Sequence, residues 1–123
     1  PYLVRGKQSD VLKEFCETHY PAGKNDLATV FLDRCLQFCK KGGTANVVLP
    51  QNWLFLTSYK KFRENLLRQE AWNLLAKMGP RAFETISGEI VQAALITLSR
   101  SKEQAFQLSS DGLIEGDGFL MHI

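Results

Sequence analysis

The stretch TANVVLP at residues 44–50 decides the fold of this chain. Its apolar end, Val47 to Leu49, favours a β-strand, and Pro50 ends it because proline lacks the amide hydrogen that a strand ladder needs. Three consecutive apolar residues are typical of a strand buried on both faces of a parallel sheet. The stretch therefore predicts a buried parallel strand.

Two helices are predicted before this strand. Ser9-Asp10 can cap a short helical turn that ends at residues 20–23, and a longer helix begins at Asn25-Asp26. Apolar residues then recur at three- and four-residue spacing, which predicts a buried stripe made of Leu27, Val30, Phe31, Cys35, Phe38 and Cys39. Two lysines followed by Gly42-Gly43 end the helix, because cations suit its negative end and glycine accepts the left-handed cap.

A helix and two strands are predicted after residue 50. Ser58 can cap a helix that runs to about Arg68, and strands are predicted near residues 71–77 and 90–98. This alternation is typical of an α/β protein, and two strands in succession imply an antiparallel hairpin. The predicted parallel strands are too few for a complete doubly wound sheet, and the chain has no GxGxxG turn for a nucleotide. We therefore expect the second half of an α/β domain.

Composition and charge indicate which classes of protein and of site are not expected. No apolar run reaches the roughly 18 residues of a membrane span, and the 123 residues contain no basic-then-apolar leader. The three cysteines, Cys16, Cys35 and Cys39, include no CxxC pair, so we expect reduced thiols of a cytoplasmic protein and no metal site. A net charge of +2 is too small to indicate a nucleic-acid partner by itself.

Several short motifs together resemble one family of enzymes. Pro1-Tyr2 resembles the last two residues of the Asn-Pro-Pro-Tyr signature, and residues 24–27 with the following helix resemble the next family element. Residues 47–54, VVLPQNWL, resemble the fifth strand and its loop, and residues 83–91, FETISGEIV, resemble the later base-pocket motif. Over about residues 1–100 the chain resembles the N6-adenine DNA methyltransferases of restriction-modification and phage-defence type.

The resemblance implies a fold and a reaction. The fold is half of a Rossmann-like class I methyltransferase sheet, mostly parallel, with an antiparallel terminal hairpin. Residues 1–100 would form this base-pocket half of the catalytic domain, and residues 101–123 a tail or the start of the next element. The reaction moves a methyl group from S-adenosylmethionine to N6 of an adenine flipped out of double-stranded DNA. The signature Asn and the glycine-rich cofactor motif are absent, so we expect the isolated chain to be inactive.

The resemblance also implies roles for individual residues. Pro1 supplies rigid, amide-free backbone beside the carbonyl that accepts an amino hydrogen, and Tyr2 stacks on the extruded adenine. Phe83 is expected to cover the opposite face of the base. Pro50 and Asn52 follow the predicted strand at its carboxyl end, where α/β proteins place their ligands, and are expected to bind substrate.

Each assignment has a simpler structural alternative. Asn25 and Asp26 are expected to line the cofactor or base pocket, yet they are most simply the cap of a helix. Tyr2 can be an exposed terminal tyrosine, Phe83 a core aromatic, and residues 50–53 a loop with one buried indole. The basic residues from Lys60 to Arg81 can contact phosphates or form a solvated helix face.

Two other functions remain open at this stage. The chain can be a non-catalytic protein-interaction module with a methyltransferase-like half-fold, or part of a methyltransferase that acts on an RNA or protein amino group. Asn-Pro encoded directly before Pro1 would favour the DNA enzyme. A half-sheet would also leave a strand edge unpaired, so we expect the chain to self-associate.

Overall fold

The computed structural model describes residues 1–78 and 92–100, together with the backbone of three short strands beyond residue 106. The helices are α1 (Asp10–His19), α2 (Leu27–Phe38) and α3 (Lys60–Gln69). The strands are β1 (Thr44–Pro50), β2 (Glu70–Lys77), β3 (Ala93–Arg100), β4 (Gln107–Leu108), β5 (Ile114–Glu115) and β6 (Phe119–His122). Three short 3-10 turns, at Arg5–Lys7, Gln51–Leu54 and Thr57–Tyr59, connect them.

The prediction of a mostly parallel sheet is wrong. The strand order is β1-β3-β2-β6, and β3 is antiparallel to both of its neighbours. In the described part of the sheet, β2 and β6 form the parallel pair, over four residue pairs. β1 and β2 do point the same way, joined by α3, but β3 returns between them and separates them. The order of helices and strands along the chain indicates the direction of each strand but not which strands lie side by side. A half Rossmann-like parallel sheet was expected for this reason.

The hairpin expected near residues 71–98 is confirmed. β2 and β3 pair from Glu70 opposite Arg100 to Lys77 opposite Ala94, with a register shift between Trp72 and Leu74. The strand predicted to be buried on both faces behaves differently: β1 alternates, with Ala45 and Leu49 buried and Asn46 and Val48 exposed. Alternation is the pattern of a strand with helices on one face only.

The core lies between this face of the sheet and the helices α2 and α3. Its largest buried side chains include Leu32 of α2, Trp53, Phe62 of α3 and Ile96 of β3. The stripe predicted for α2 is partly wrong, because Phe31 is 47% exposed and Phe38 74% exposed. Leu32 and Leu36 face the sheet instead, and Cys35 and Cys39 pack at the margin of the core with free thiols. Both sides of α2 carry apolar residues, so spacing alone does not identify the buried one.

The predicted helix boundaries agree with the structure at two of three starts. Ser9 Oγ accepts a hydrogen bond from the Leu12 amide, and Asp26 caps α2. Ser58 does not cap α3: it lies inside a 3-10 turn, and Tyr59 is the N-cap residue without a side-chain bond. Gly42 has a φ of +77°, the left-handed conformation that glycine adopts without strain.

Arg100 joins the end of β3 to the end of α2. Its Nη1 donates to the carbonyls of Cys39 at 2.8 Å and Gln37 at 3.2 Å. The Arg100 backbone also exchanges hydrogen bonds with Gly42 and Gly43. The helix, the glycine turn and the central strand therefore meet at one residue, Arg100.

Some expectations lie outside the described residues or remain untested. Phe83, the segment 83–91 and the side chains of residues 101–123 are among the former. In the described sheet β1 is an edge strand, and self-association through such an edge stays a prediction. A search of the described helices found none that is long and apolar enough to cross a membrane.

Substitution of Leu32 and of Phe38 tests which face of α2 is buried. Leu32→Ala should lower the free energy of unfolding by about 2–5 kcal/mol, because it leaves a cavity in the core. Phe38→Ala should change it by less than about 0.5 kcal/mol, because the ring lies largely in solvent. Urea denaturation measures both, and equal losses would contradict the observed orientation of α2.

Candidate functional site

A cavity of about 850 Å³ lies where the N-terminal segment meets the end of β1. Pockets of about 300–1,000 Å³ are the usual size for small-molecule sites. Its wall consists of Tyr2, Val4, Lys7, Asp26, Pro50, Gln51, Asn52, Phe55, Leu56 and Gln92. The cavity brings together four of the residues singled out from the sequence, Tyr2, Asp26, Pro50 and Asn52. Pro1 and Asn25 do not line it, and Phe83 lies outside the described residues.

Tyr2 is held in place by its phenol group. The hydroxyl donates a 2.7 Å hydrogen bond to the carbonyl of Val48 in β1, and 38% of the side chain remains exposed. Burial, and secondly the charge of Asp26, raise the pKa of Tyr2 above its usual value. The phenol therefore stays protonated and able to donate at neutral pH. The associated stability is fully present below the pKa of an unfolded tyrosine and is lost as the pH rises through the raised pKa.

Asp26 connects the N-terminal segment to α2. Its carboxylate is buried, and Oδ1 accepts the amide of Ala28 at 2.9 Å and the amide of Leu3 at 3.1 Å. The Leu27 amide donates to the Leu3 carbonyl, and the Arg5 amide donates to the Asn25 carbonyl. Asp26 thus acts as a helix cap and as the residue that fixes the segment carrying Tyr2.

The loop after β1 is also held at several points. Arg63 of α3 donates from Nη1 to the carbonyls of Trp53 and Leu56, both at 2.7 Å. The buried indole of Trp53 packs edge-on against Phe62, with ring centroids 5.6 Å apart. At the start of the loop, the Gln51 amide donates to the Gln92 carbonyl at 2.8 Å, and the two side-chain amides hydrogen-bond to each other. The buried indole expected in this loop is therefore present, and ligand binding by the loop stays a prediction.

Sequence reasoning missed several residues of the cavity wall. Phe55 and Leu56 are 59% and 49% exposed, and Gln92 enters from the start of β3. Lys77, at the end of β2, belongs to the basic group noted in the sequence and does not line the cavity, but its Nζ lies 4.9 Å from the centroid of the Phe55 ring. The sequence contained one signal for this part of the wall, the adjacent apolar residues Phe55 and Leu56. They lie in a loop, so they do not belong to the buried face of a helix. The position of Gln92 carried no such signal, because it depends on the antiparallel return of β3.

The described residues offer little evidence for other kinds of site. A second groove of about 500 Å³ lies between α1 and α2, with Phe15, Cys16 and Phe31 among its mainly apolar walls. Within the part of the chain that the structure describes, no three or more His, Cys, Asp or Glu side chains are grouped to hold a metal ion.

Replacement of Asp26 tests its role as a connector. Asp26→Ala should lower the free energy of unfolding by about 2–4 kcal/mol, because the helix loses its cap and two amides lose their acceptor. Asp26→Asn keeps a side-chain oxygen and should recover most of this loss. Urea denaturation of the two variants provides the measurement, and equal destabilisation would assign the effect to the charge instead.

Comparison with known proteins assigns the chain to a family. Residues 1–83 match the model of the Eco57I restriction-modification methylase family. The chain is 35% identical over 119 residues to the adenine-specific methyltransferase PglX of Lacticaseibacillus casei (strain Zhang), covering 95% of this chain and 10% of that protein. It is 37% identical over 92 residues to the adenine-specific methyltransferase BrxX of Escherichia coli O9:H4 (strain HS), covering 75% of this chain and 8% of that protein. The chain thus spans about a tenth of the length of these curated relatives. It belongs to the Eco57I restriction-modification methylase family.

Proposed function

We propose that the chain forms the adenine-binding part of a site-specific DNA methyltransferase that uses S-adenosylmethionine. The observation that carries the proposal is the cavity lined jointly by Tyr2, Pro50 and Asn52. Tyr2 is far in sequence from Pro50 and Asn52. The hydrogen bond from Tyr2 to the carbonyl of Val48, 46 positions away, joins the two segments that carry these residues. The names of the relatives, both adenine-specific methyltransferases, supply the substrate class.

The described residues have properties that suit a flipped adenine. Tyr2 presents an aromatic ring whose hydroxyl is already bonded, so the ring can stack on a base without first losing much freedom. Asn52 is exposed at the cavity wall, and an amide can both donate to and accept from the edge of a base. Pro1 and Pro50 stiffen the backbone beside these two residues. Phe83 remains our proposal for the second face of the base.

The residues proposed to contact the cofactor do not fit it. Asp26 is buried and its Oδ1 is engaged by two backbone amides, so this oxygen has little capacity for a ribose hydroxyl. Asn25 does not line the cavity. We therefore interpret Asp26 as a structural residue. We propose no role in methyl donation for any residue that the structure describes.

Calorimetry tests this disagreement. We expect no measurable heat when S-adenosylmethionine is titrated into the 123-residue chain, because its sequence has no glycine-rich cofactor motif and Oδ1 of Asp26 is already engaged by two backbone amides. Saturable binding that is lost in Asp26→Asn would contradict our structural interpretation of Asp26.

A methylation assay tests the proposed function. The full-length protein that contains this chain should transfer radiolabelled methyl from S-adenosylmethionine to DNA, and mass spectrometry of the nucleosides should detect N6-methyladenine. Tyr2→Ala should lower kcat/KM about ten- to a hundredfold, because base–aromatic stacking contributes about 1–3 kcal/mol. Tyr2→Phe keeps the ring and should lose much less. Tyr20→Phe, in the hydrophobic cluster beside α1, serves as a matched control.

The alternatives predict other outcomes. Label in RNA or protein rather than DNA would favour a methyltransferase for another amino group. No transfer to any of these substrates, together with stable capture of a protein partner, would favour an interaction module. Activity in Tyr2→Ala equal to that of the unmodified protein would remove Tyr2 from the base site.

A further inference from the structure

Phe55 is an exposed aromatic residue on a rigid backbone. Its ring is 59% exposed, yet its amide donates to the Asn52 carbonyl at 3.1 Å and the next amide, of Leu56, donates to the same carbonyl at 3.0 Å. Arg63 holds the Leu56 carbonyl from the other side. The loop therefore presents the ring to solvent in a defined position instead of burying it in the adjacent core. An aromatic ring held in this way at a cavity wall is suited to stacking on a planar ligand.

A positive charge accompanies the ring. Lys77 Nζ lies 4.9 Å from the ring centroid, within the range of a cation–π contact. The ion pairs found among residues 1–78 and 92–100 involve Arg5, Lys13, Lys24 and Lys60, and Lys77 is in none of them. Its charge is thus not neutralised by a carboxylate of that part of the chain and can bind an anion beside the ring.

We propose that Phe55 and Lys77 form a nucleotide-binding ledge at the wall of the cavity. Phe55 stacks on a base of the DNA strand that enters the cavity, and Lys77 binds a phosphate of the same strand. A nucleotide offers both an aromatic face and a negative charge a few ångströms away, which is the chemistry that this pair complements. The inference rests on the proposed function for the identity of the ligand, and it adds an aromatic contact beyond those proposed for Tyr2 and Phe83.

The chain contains a matched control for this pair. Phe38, at the end of α2, is 74% exposed, and the Arg34 guanidinium lies 4.4 Å from its ring centroid. The pair Phe38 and Arg34 thus combines an exposed phenylalanine with a cation, as Phe55 and Lys77 do. Phe38 does not line the cavity that contains Tyr2. If a general affinity of exposed rings and cations for DNA were the cause of binding, both pairs would contribute.

The test uses the 123-residue chain and a duplex oligonucleotide that carries 2-aminopurine opposite an abasic site. An unpaired base is cheap to extrude, and the fluorescence of 2-aminopurine changes when the base leaves the stack of its neighbours. We expect Phe55→Ala to weaken binding about ten- to a hundredfold and to reduce this fluorescence change. Phe55→Trp should retain both, and Phe38→Ala should behave as the unmodified chain. Circular dichroism verifies that each variant is folded.

The salt dependence of binding tests Lys77 separately. Lys77→Gln should reduce the slope of log affinity against log salt concentration by about one, because one phosphate contact is lost. Phe55→Ala should weaken binding without changing this slope. A slope that is unchanged in Lys77→Gln would remove the phosphate contact from the proposal.

The outcomes separate this inference from the proposed function. If Tyr2→Ala weakens binding while Phe55→Ala matches Phe38→Ala, the ledge is wrong and the base site at Tyr2 stands. If Phe55→Ala weakens binding while Tyr2→Ala does not, the ledge stands and the assignment of Tyr2 fails. An unmodified chain that leaves the fluorescence unchanged at all concentrations overturns both.

Discussion

The insertion of β3 between β1 and β2 is the constraint on which the rest of the structure depends. Ala93–Arg100 pairs with one side of each neighbour, and its buried residues Ile96 and Leu98 complete the core under α2 and α3. Arg100, at one end of β3, holds the carbonyl end of α2. Gln92, just before the other end, bonds to Gln51 at the cavity. One strand thereby sets the position of the helix end and of the candidate site.

The candidate site is built from several segments that specific hydrogen bonds join to one another. Asp26 connects the N-terminal segment to α2, Tyr2 connects the same segment to β1, and Arg63 connects α3 to the loop after β1. Such restraints position side chains before a ligand arrives, so less conformational entropy is lost on binding. This arrangement explains how aromatic rings can remain partly exposed at the cavity without collapsing into the core. It also explains why Asp26 is buried although the sequence suggested a role in binding.

Family membership and cavity geometry support different parts of the functional argument. The match to the Eco57I methylases over residues 1–83 identifies the class of enzyme, whereas the cavity indicates where in this chain a base could lie. The two relatives are about ten times longer than the region they share with this chain, so the activity of the whole protein remains a proposal. The pairing of Phe55 with Lys77 comes from the geometry alone, although the sequence had already marked Lys77 as one of several basic residues that can contact phosphates.

The sequence by itself determined the local elements and the family. Ser9 and Asp26 were recognisable as helix caps and residues 44–49 as a strand, because each depends on neighbours a few positions away. Four of the residues singled out from the sequence line one cavity, but it is the hydrogen bond from Tyr2 to Val48 between distant segments that brings them together. Only the tertiary structure decided that the sheet is antiparallel at its centre, that α2 buries Leu32 rather than Phe38, and that Phe55 meets Lys77. These features depend on which strands and faces become neighbours, and that choice is made by packing between residues far apart in the chain.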